Sequence, residues 1–258
     1  MREAAQLHVT TWGDEGEPAV LVHGSFGWGE YAWAAQRPLA DDYRLALVDR
    51  SGFGASPGPD AGDFDVDADA IARLIPSGSH LVGHSYGGVA SLLAAALRPE
   101  AVRSLTVIEP PALQLARGDE AVEELIARVD AATTEAADPQ DYTRRFFAAF
   151  GLPAPPEPLK GDALRAATSS WRERPPWEAK IDLEALRRAP FPKLVVRGAW
   201  DVAPAEAQAI ARRGFHAVCD VLVEELGAKS ATISGVAHSV QRSGEPLNEQ
   251  LRAFWEAT

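Results

Sequence analysis

The sequence predicts an α/β protein with a mostly parallel, doubly wound sheet. Short β-branched runs alternate with helical patterns along most of the 258 residues, as they do where helices connect parallel strands. Mainly apolar runs such as 105–108 suit strands that are buried on both faces. A glycine-flanked turn at 83–87 leads from one such run into a long helical pattern. Together these observations indicate parallel strands joined by crossover helices.

Each strand is predicted from a short apolar or β-branched run bounded by turn residues. The segment 6–12 alternates between apolar and polar residues, and we expect it to form an antiparallel edge hairpin with the strand at 19–22. The other predicted strands are 45–49, 80–83, 102–108, 193–197 and a weaker one at 231–234. Helices are predicted at 32–39, 66–75, 86–97, 204–213, 215–226 and 246–257.

The segment 111–190 interrupts this alternation because it contains no convincing strand. It predicts helices that are broken by prolines, at 120–132, 142–150, 161–171 and 182–188. An all-helical insertion between two parallel strands would lie over the carboxyl edge of the sheet as a lid. We therefore expect a core formed by 1–110 and 191–258, and a helical cap formed by 111–190.

Aromatic side chains of the cap are candidates for a hydrophobic substrate cavity. The alternative is that they form the interior of the cap itself, which we expect for at least half of them. The candidates are Phe146, Phe147, Phe150, Trp171 and Trp177, and Phe26 of the core is a further one.

Composition limits the partners of the chain. The formal net charge of −12, with no basic cluster, argues against nucleic acid or an anionic membrane. No apolar run approaches the roughly 18 residues of a membrane span, and no signal-peptide core follows Met1. A single cysteine, Cys219, excludes a disulfide framework and a thiolate metal site. We expect a cytoplasmic protein, and a homodimer is compatible with the sequence.

The pentapeptide Gly83-His84-Ser85-Tyr86-Gly87 predicts a nucleophile elbow. It lies between a strand pattern and a helix pattern, so Ser85 falls at a sharp turn where glycines remove clashing Cβ atoms. The helix that follows would place backbone N–H groups and the positive end of its dipole beside a developing negative charge. Ser85 is therefore the candidate nucleophile.

A serine hydroxyl needs a base to remove its proton, usually a histidine that a carboxylate orients. His238 is the best of six histidines, because it follows the last predicted strand in a loop of small residues, Ser234 to Ser239. Two carboxylates compete for the third position. Asp201 follows the strand at 193–197 and is preferred, whereas Glu109 ends the strand next to the elbow and is the alternative.

An oxyanion formed at the substrate carbonyl needs two backbone donors. One is expected from Tyr86, directly after the nucleophile. The other is expected from the loop that follows the strand at 19–22, with Ser25 as the first choice and Phe26 as the alternative.

These residues and their order resemble the α/β-hydrolase superfamily, in its serine-nucleophile, esterase- or lactonase-like branch. The matching motifs are His23-Gly24, the segment 49–56 (Asp-Arg-Ser-Gly-Phe-Gly-Ala-Ser), the Ser85 elbow, Gly198-x-x-Asp201 and Gly235-x-x-His238. The resemblance implies the α/β-hydrolase fold with a cap inserted between strands 6 and 7. A serine at the elbow speaks against the epoxide hydrolases and dehalogenases, which attack with a carboxylate. Some members place the acid after the strand that follows the elbow, which keeps Glu109 open.

The function predicted from these features is a cofactor-independent serine hydrolase. It would cleave an ester or lactone of a small to medium hydrophobic molecule through an acyl-enzyme. The same triad could instead serve carbon–carbon bond hydrolysis or a lyase or isomerase step in secondary metabolism, and the fold could serve as a non-catalytic binding module.

Two other classes of protein fit poorly. Gly27-x-Gly29-x-x-Ala32 matches a dinucleotide-binding fingerprint, but it begins several residues beyond its strand. No acidic ligand cluster is present, and we expect neither a metal site nor a cofactor.

Overall fold

The sheet of the protein is mostly parallel, as predicted. The computed structural model describes residues 7–58 and 62–258, and in these residues seven strands form one sheet in the order β1-β3-β2-β4-β5-β6-β7. The strands are β1 Val9–Trp12, β2 Glu17–Val22, β3 Tyr43–Val48, β4 Ser79–His84, β5 Val102–Ile108, β6 Lys193–Gly198 and β7 Lys229–Ile233. Every neighbouring pair is parallel except β1 with β3.

The edge strand β1 does not pair as predicted. It lies antiparallel to β3, with Val9 opposite Val48 and Trp12 opposite Leu45, instead of forming a hairpin with β2. Both edges of β2 are already occupied by β3 and β4, so the outer edge of β3 is the position left for β1. Residue 6 of the predicted strand, like residues 1–5 and 59–61 of the predicted core, lies outside the described residues.

Helices connect the strands and cover both faces of the sheet. Alternate residues of the central strands enter two separate apolar clusters: Leu81 and Val107 pack on one face, and Val82 and Ile108 on the other. The helices are α1 Gly29–Ala32, α2 Phe64–Leu74, α3 Tyr86–Leu97, α4 Glu120–Thr134, α5 Pro139–Ala149, α6 Gly161–Trp171, α7 Leu183–Arg188, α8 Ala205–Ala207, α9 Arg213–Leu226 and α10 Glu245–Trp255. A π-helical segment, Gln208–Arg212, joins α8 to α9. No helix in the described part of the chain is long and apolar enough to cross a membrane.

Aspartate side chains define the beginnings of four helices. Each accepts a hydrogen bond from a backbone N–H group of the first helical turn, where no intrahelical acceptor exists. These residues are Asp63 for α2, Asp119 for α4, Asp138 for α5 and Asp182 for α7. Three of these four helices belong to the predicted cap, so local sequence fixes where three of its four helices start.

The cap segment is helical and contains α4 to α7. It lies between β5 and β6, whereas the resemblance implied strands 6 and 7; in the described residues five strands, not six, precede it. Its residues contact the loop that follows β2, since Ser170 and Glu173 both hydrogen-bond there. The carboxyl ends of the parallel strands and the inner side of the cap therefore face the same space.

Gly87 allows α3 to begin directly against the end of β2. A Cβ atom at this position would lie 2.3 Å from the carbonyl oxygen of His23 and 2.5 Å from that of Val22, and neither backbone atom can move freely. We expect Gly87→Ala to lower the free energy of unfolding by about 1–3 kcal/mol, as overpacking does. Urea unfolding measures this change.

Gly27→Ala is the matched control. A Cβ atom there meets nothing closer than Ala32 Cβ at 3.5 Å, which is ordinary contact. Its stability should stay within about 1 kcal/mol of the wild type. Equal losses in the two variants would contradict the close approach of α3 to β2.

Candidate active site

Ser85 occupies the sharp turn between β4 and α3. Its backbone has φ 53° and ψ −127°, a conformation that non-glycine residues rarely adopt. Residues in such conformations persist only where their surroundings hold them, and they cluster at functional sites. Gly24 lies directly beside the turn, since a Cβ atom there would be 2.7 Å from Ser85 Cβ. The loop after β2 is thereby brought against the serine.

His238 lies within hydrogen-bond distance of the serine. Its Nε2 atom is 2.9 Å from Ser85 Oγ, although the two residues are 153 positions apart. The loop after β7 carries the histidine to the same edge of the sheet as the elbow. The imidazole packs against Phe215, with ring centroids 4.3 Å apart, so its orientation is fixed by an apolar surface as well as by hydrogen bonds.

Glu109 provides the carboxylate that contacts the histidine. Its Oε2 atom is 2.8 Å from His238 Nδ1, and its Oε1 atom accepts hydrogen bonds from Gly198 N–H at 2.9 Å and Trp200 Nε1–H at 2.8 Å. The residue is completely buried, so these donors replace the water that the carboxylate loses. The contact between Glu109 Oε2 and His238 Nδ1 keeps a proton on Nδ1, so Nε2 is the nitrogen that can accept the serine proton.

The preferred acid, Asp201, does not agree with this geometry. Both of its carboxylate oxygens accept from Gly235 N–H, at 2.9 and 3.2 Å, and the residue is exposed. The physical reason is the preceding residue: Trp200 has φ 58°, and its fully buried side chain takes the interior position beside Glu109. Asp201 therefore anchors the loop that leads to His238, and the alternative, Glu109, contacts the imidazole.

The predicted oxyanion donors line the same cavity as Ser85, and of the two loop candidates Phe26 has an N–H group that is already hydrogen-bonded. Tyr86 is the first residue of α3, where an N–H group has no intrahelical acceptor. Phe26 N–H already donates to Ser170 Oγ at 2.9 Å. Ser25 is the neighbouring loop residue, and its hydroxyl donates to Glu173 Oε2.

A buried charged cluster lies beneath this loop, and the sequence did not predict it. The guanidinium of Arg50 has no exposure and pairs with Asp67 at 3.0 Å and with Glu173 of the cap. Burial raises the pKa of the Glu173 carboxyl, an effect that the charge of Arg50 opposes. No local pattern reveals the cluster because its members are far apart in the chain. The one available signal was Arg50 itself, a cation within the segment 49–56.

Two neighbouring histidines are buried and hold the backbone of the site. His84 Nε2 donates to the carbonyl oxygen of His238 at 2.9 Å, and His23 Nε2 accepts from Arg50 N–H at 3.0 Å. Burial lowers the pKa of each imidazole well below its usual value, and the charge of Arg50 lowers that of His23 further. Both are therefore neutral near pH 7.

A cavity of about 700 Å³ opens above Ser85 and His238. The cap contributes most of its apolar wall, and the predicted residues Phe146, Phe147, Phe150 and Trp177 line it together with Phe26. Trp171 is not among the lining residues. Its Nε1–H group donates to Thr133 O at 3.0 Å, so this side chain joins α6 to α4.

The match to a family model covers most of the chain. The model described as "Alpha/beta hydrolase family" matches residues 19–250. The chain belongs to the α/β-hydrolase family. The family predicted from the sequence motifs is therefore confirmed.

Named relatives include an esterase and a lipase. A pimeloyl-[acyl-carrier protein] methyl ester esterase from Methylococcus capsulatus is 32% identical over 212 residues, which cover 80% of this chain and 79% of that protein. Lipase 3 from a Moraxella species is 33% identical over 101 residues, and the match spans only 36% of this chain and 32% of the lipase. MenH from S. aureus has a similar structure, with a TM-score of 0.69, 16% identity and coverage of 97% and 98% of the two chains.

The lowered pKa of His84 predicts a pH-dependent stability. The unfolded chain binds a proton near pH 6.5 while the folded chain does not, so the stabilisation is complete above that pH and is lost as the pH falls. In His84→Gln this titration is absent. Urea unfolding between pH 7.5 and 5 should show a steeper loss in the wild type, on the order of 1 kcal/mol per pH unit. Parallel profiles would contradict the assignment.

Proposed function

We propose that the protein is a cofactor-independent serine hydrolase that cleaves a carboxylic ester through an acyl-enzyme. The observation that carries the proposal is the continuous hydrogen-bonded chain from Ser85 Oγ through His238 to Glu109, with separations of 2.9 and 2.8 Å. This is the arrangement that activates a serine hydroxyl for attack on a carbonyl. The esterase and lipase names of the relatives support the same reaction class.

In the first half of the reaction, Ser85 Oγ attacks the ester carbonyl carbon while His238 Nε2 takes the hydroxyl proton. Glu109 holds the imidazole in its tautomer and stabilises the imidazolium that forms. The N–H groups of Ser25 and Tyr86 donate hydrogen bonds to the carbonyl oxygen and so stabilise its negative charge. His238 then returns the proton to the departing alcohol oxygen, which leaves an acyl group on Ser85.

In the second half, a water molecule attacks the acyl carbon and His238 takes its proton. Collapse of the second tetrahedral intermediate breaks the bond to Ser85 Oγ, and the proton on His238 returns to that oxygen. The products are a carboxylic acid and the free enzyme. The two hydrogen bonds that support these steps join Ser85 to His238 and His238 to Glu109.

The proposed substrate is an ester of small to medium size with a hydrophobic acyl or alcohol part. A volume of about 700 Å³ lies in the range of pockets that enclose small ligands. The aromatic wall of the cap favours apolar groups in that space. A lactone is an internal ester and would react by the same steps. Carbon–carbon bond hydrolysis and lyase or isomerase chemistry stay predictions from the sequence.

An alkyl fluorophosphonate should label the protein once, on Ser85. The reagent needs an activated serine and forms a stable tetrahedral phosphorus adduct, so mass spectrometry of the digested protein locates it. Ser85→Ala should not react, and its folded state is checked by circular dichroism. A folded wild type that stays unlabelled, with no turnover of p-nitrophenyl esters, would refute the proposed function.

Replacing the two carboxylates separately tests the acid. Glu109→Gln should lower kcat by about a thousandfold or more, because the amide cannot select the required tautomer. Asp201→Asn keeps an oxygen that can accept from Gly235, so its kcat should fall by no more than about fivefold, which corresponds to one exposed hydrogen bond. Hydrolysis of p-nitrophenyl butyrate measures both. The reverse order of effects would return the role to Asp201.

A further inference from the structure

The cap binds the loop that follows β2, here called the oxyanion loop, at the consecutive residues Ser25 and Phe26. Ser170 Oγ accepts from Phe26 N–H at 2.9 Å, and Glu173 accepts from the hydroxyl of Ser25. Ser170 lies near the end of α6 and Glu173 follows that helix, so both partners come from one short segment of the cap. The loop that carries the proposed oxyanion donor is therefore held by a separate part of the chain.

This loop needs an external restraint because its backbone is strained. Phe26 has φ 58°, a conformation that is unfavourable for a non-glycine residue and persists only under constraint. Its ring packs on Phe146 and Phe147 of the cap, with centroids 4.9 and 5.5 Å apart. Hydrogen bonds and ring contacts from the cap thus act together on residues 25 and 26.

Glu173 is itself held rigidly. Its Oε1 atom accepts from Arg50 and its Oε2 atom accepts from Ser25, so both carboxylate oxygens are used. Arg50 has a second carboxylate partner, Asp67, which is completely buried and also accepts from Ser51 N–H. One carboxylate is enough to balance the charge of the guanidinium, and Asp67 already supplies it, so charge balance does not explain why the cap brings in a second acid.

The other proposed oxyanion donor touches the same cluster. The guanidinium of Arg50 lies over the ring of Tyr86, 4.5 Å from its centroid, and the Tyr86 hydroxyl donates to Arg174 O at 3.0 Å. Ser25 and Tyr86 are the residues whose N–H groups would bind the oxyanion. Their side chains therefore hydrogen-bond to two consecutive cap residues, 173 and 174.

We propose that Glu173 is a positioning residue for the oxyanion hole and that it acts through the hydroxyl of Ser25. The cap then has a second role besides lining the cavity: it fixes the direction of the Ser25 N–H group. The inference rests on the proposed serine-hydrolase function. A misdirected donor weakens binding of the tetrahedral intermediate more than binding of the ester, so the loss should fall on kcat.

A double-mutant cycle on Ser25→Ala and Glu173→Gln tests this coupling. The glutamine amide has one acceptor oxygen, so it cannot accept from both Arg50 and Ser25 through separate oxygens as the carboxylate does. Each single variant should lower kcat for p-nitrophenyl butyrate by about tenfold, with KM within about threefold of the wild type. The double variant should lose little more than either single variant, because both changes break the same contact.

Ligand binding separates positioning from general damage to the fold. An arylboronic acid forms a tetrahedral adduct with Ser85 that places a negative oxygen in the oxyanion hole. The carboxamide with the same aryl group binds with an uncharged, planar carbonyl and serves as the comparison ligand. Affinity for the boronic acid should fall by the same factor as kcat in both single variants, and affinity for the amide should stay within about threefold. Equal losses for both ligands would overturn the proposal.

The matched control is Glu135→Gln, which removes the charge of an exposed cap glutamate paired with Arg145. It should leave kcat unchanged. Should Glu173→Gln fail to fold, Ser25→Ala still decides, because it leaves the pair between Arg50 and Glu173 intact; an unchanged kcat would overturn the proposal. A multiplicative loss in the double variant would do the same. An inactive wild type that resists the fluorophosphonate would instead refute the proposed function.

Discussion

The site depends on one fully buried carboxylate and the donors that surround it. Glu109 receives hydrogen bonds from the end of β6, from the indole of Trp200 and from the imidazole of His238, which follows β7. A charge in that position would be costly without such partners. The hydrogen bonds to this carboxylate therefore hold the ends of β5, β6 and β7 together. The position of His238, and with it the geometry at Ser85, follows from this requirement.

Parallel strand direction explains why these residues meet. β4, β5, β6 and β7 all run the same way, so the segments that follow them lie along one edge of the sheet. Each residue of the site follows one of these strands closely. Ser85, Glu109 and Trp200 lie one or two positions after their strands, and His238 lies five positions after β7. The site is assembled by sheet topology, from residues up to 153 positions apart. The cap closes the same edge from above.

The parallel sheet, the helices of 111–190 and the placement of Ser85 and His238 at one sheet edge were predictable because each leaves a local signal. These signals are β-branched runs, helical patterns broken by prolines, a glycine-flanked turn and a loop of small residues. The choice between Asp201 and Glu109 was not predictable. Both residues follow strand ends. Which of them reaches His238 depends on the left-handed backbone of Trp200, and the sequence does not predict that conformation for a non-glycine residue. The pairing of Arg50 with Glu173 was equally hidden, since a contact across 123 residues has no sequence periodicity.

The bond between Phe26 and Ser170 has a consequence for how such a protein can diversify. Caps are often treated as exchangeable modules that change what a shared core accepts. Here a graft would replace a hydroxyl and a carboxylate that the core loop uses directly. A new cap for this core must keep a hydrogen-bond acceptor opposite each of residues 25 and 26, so the variable wall of the cavity begins only beyond that segment.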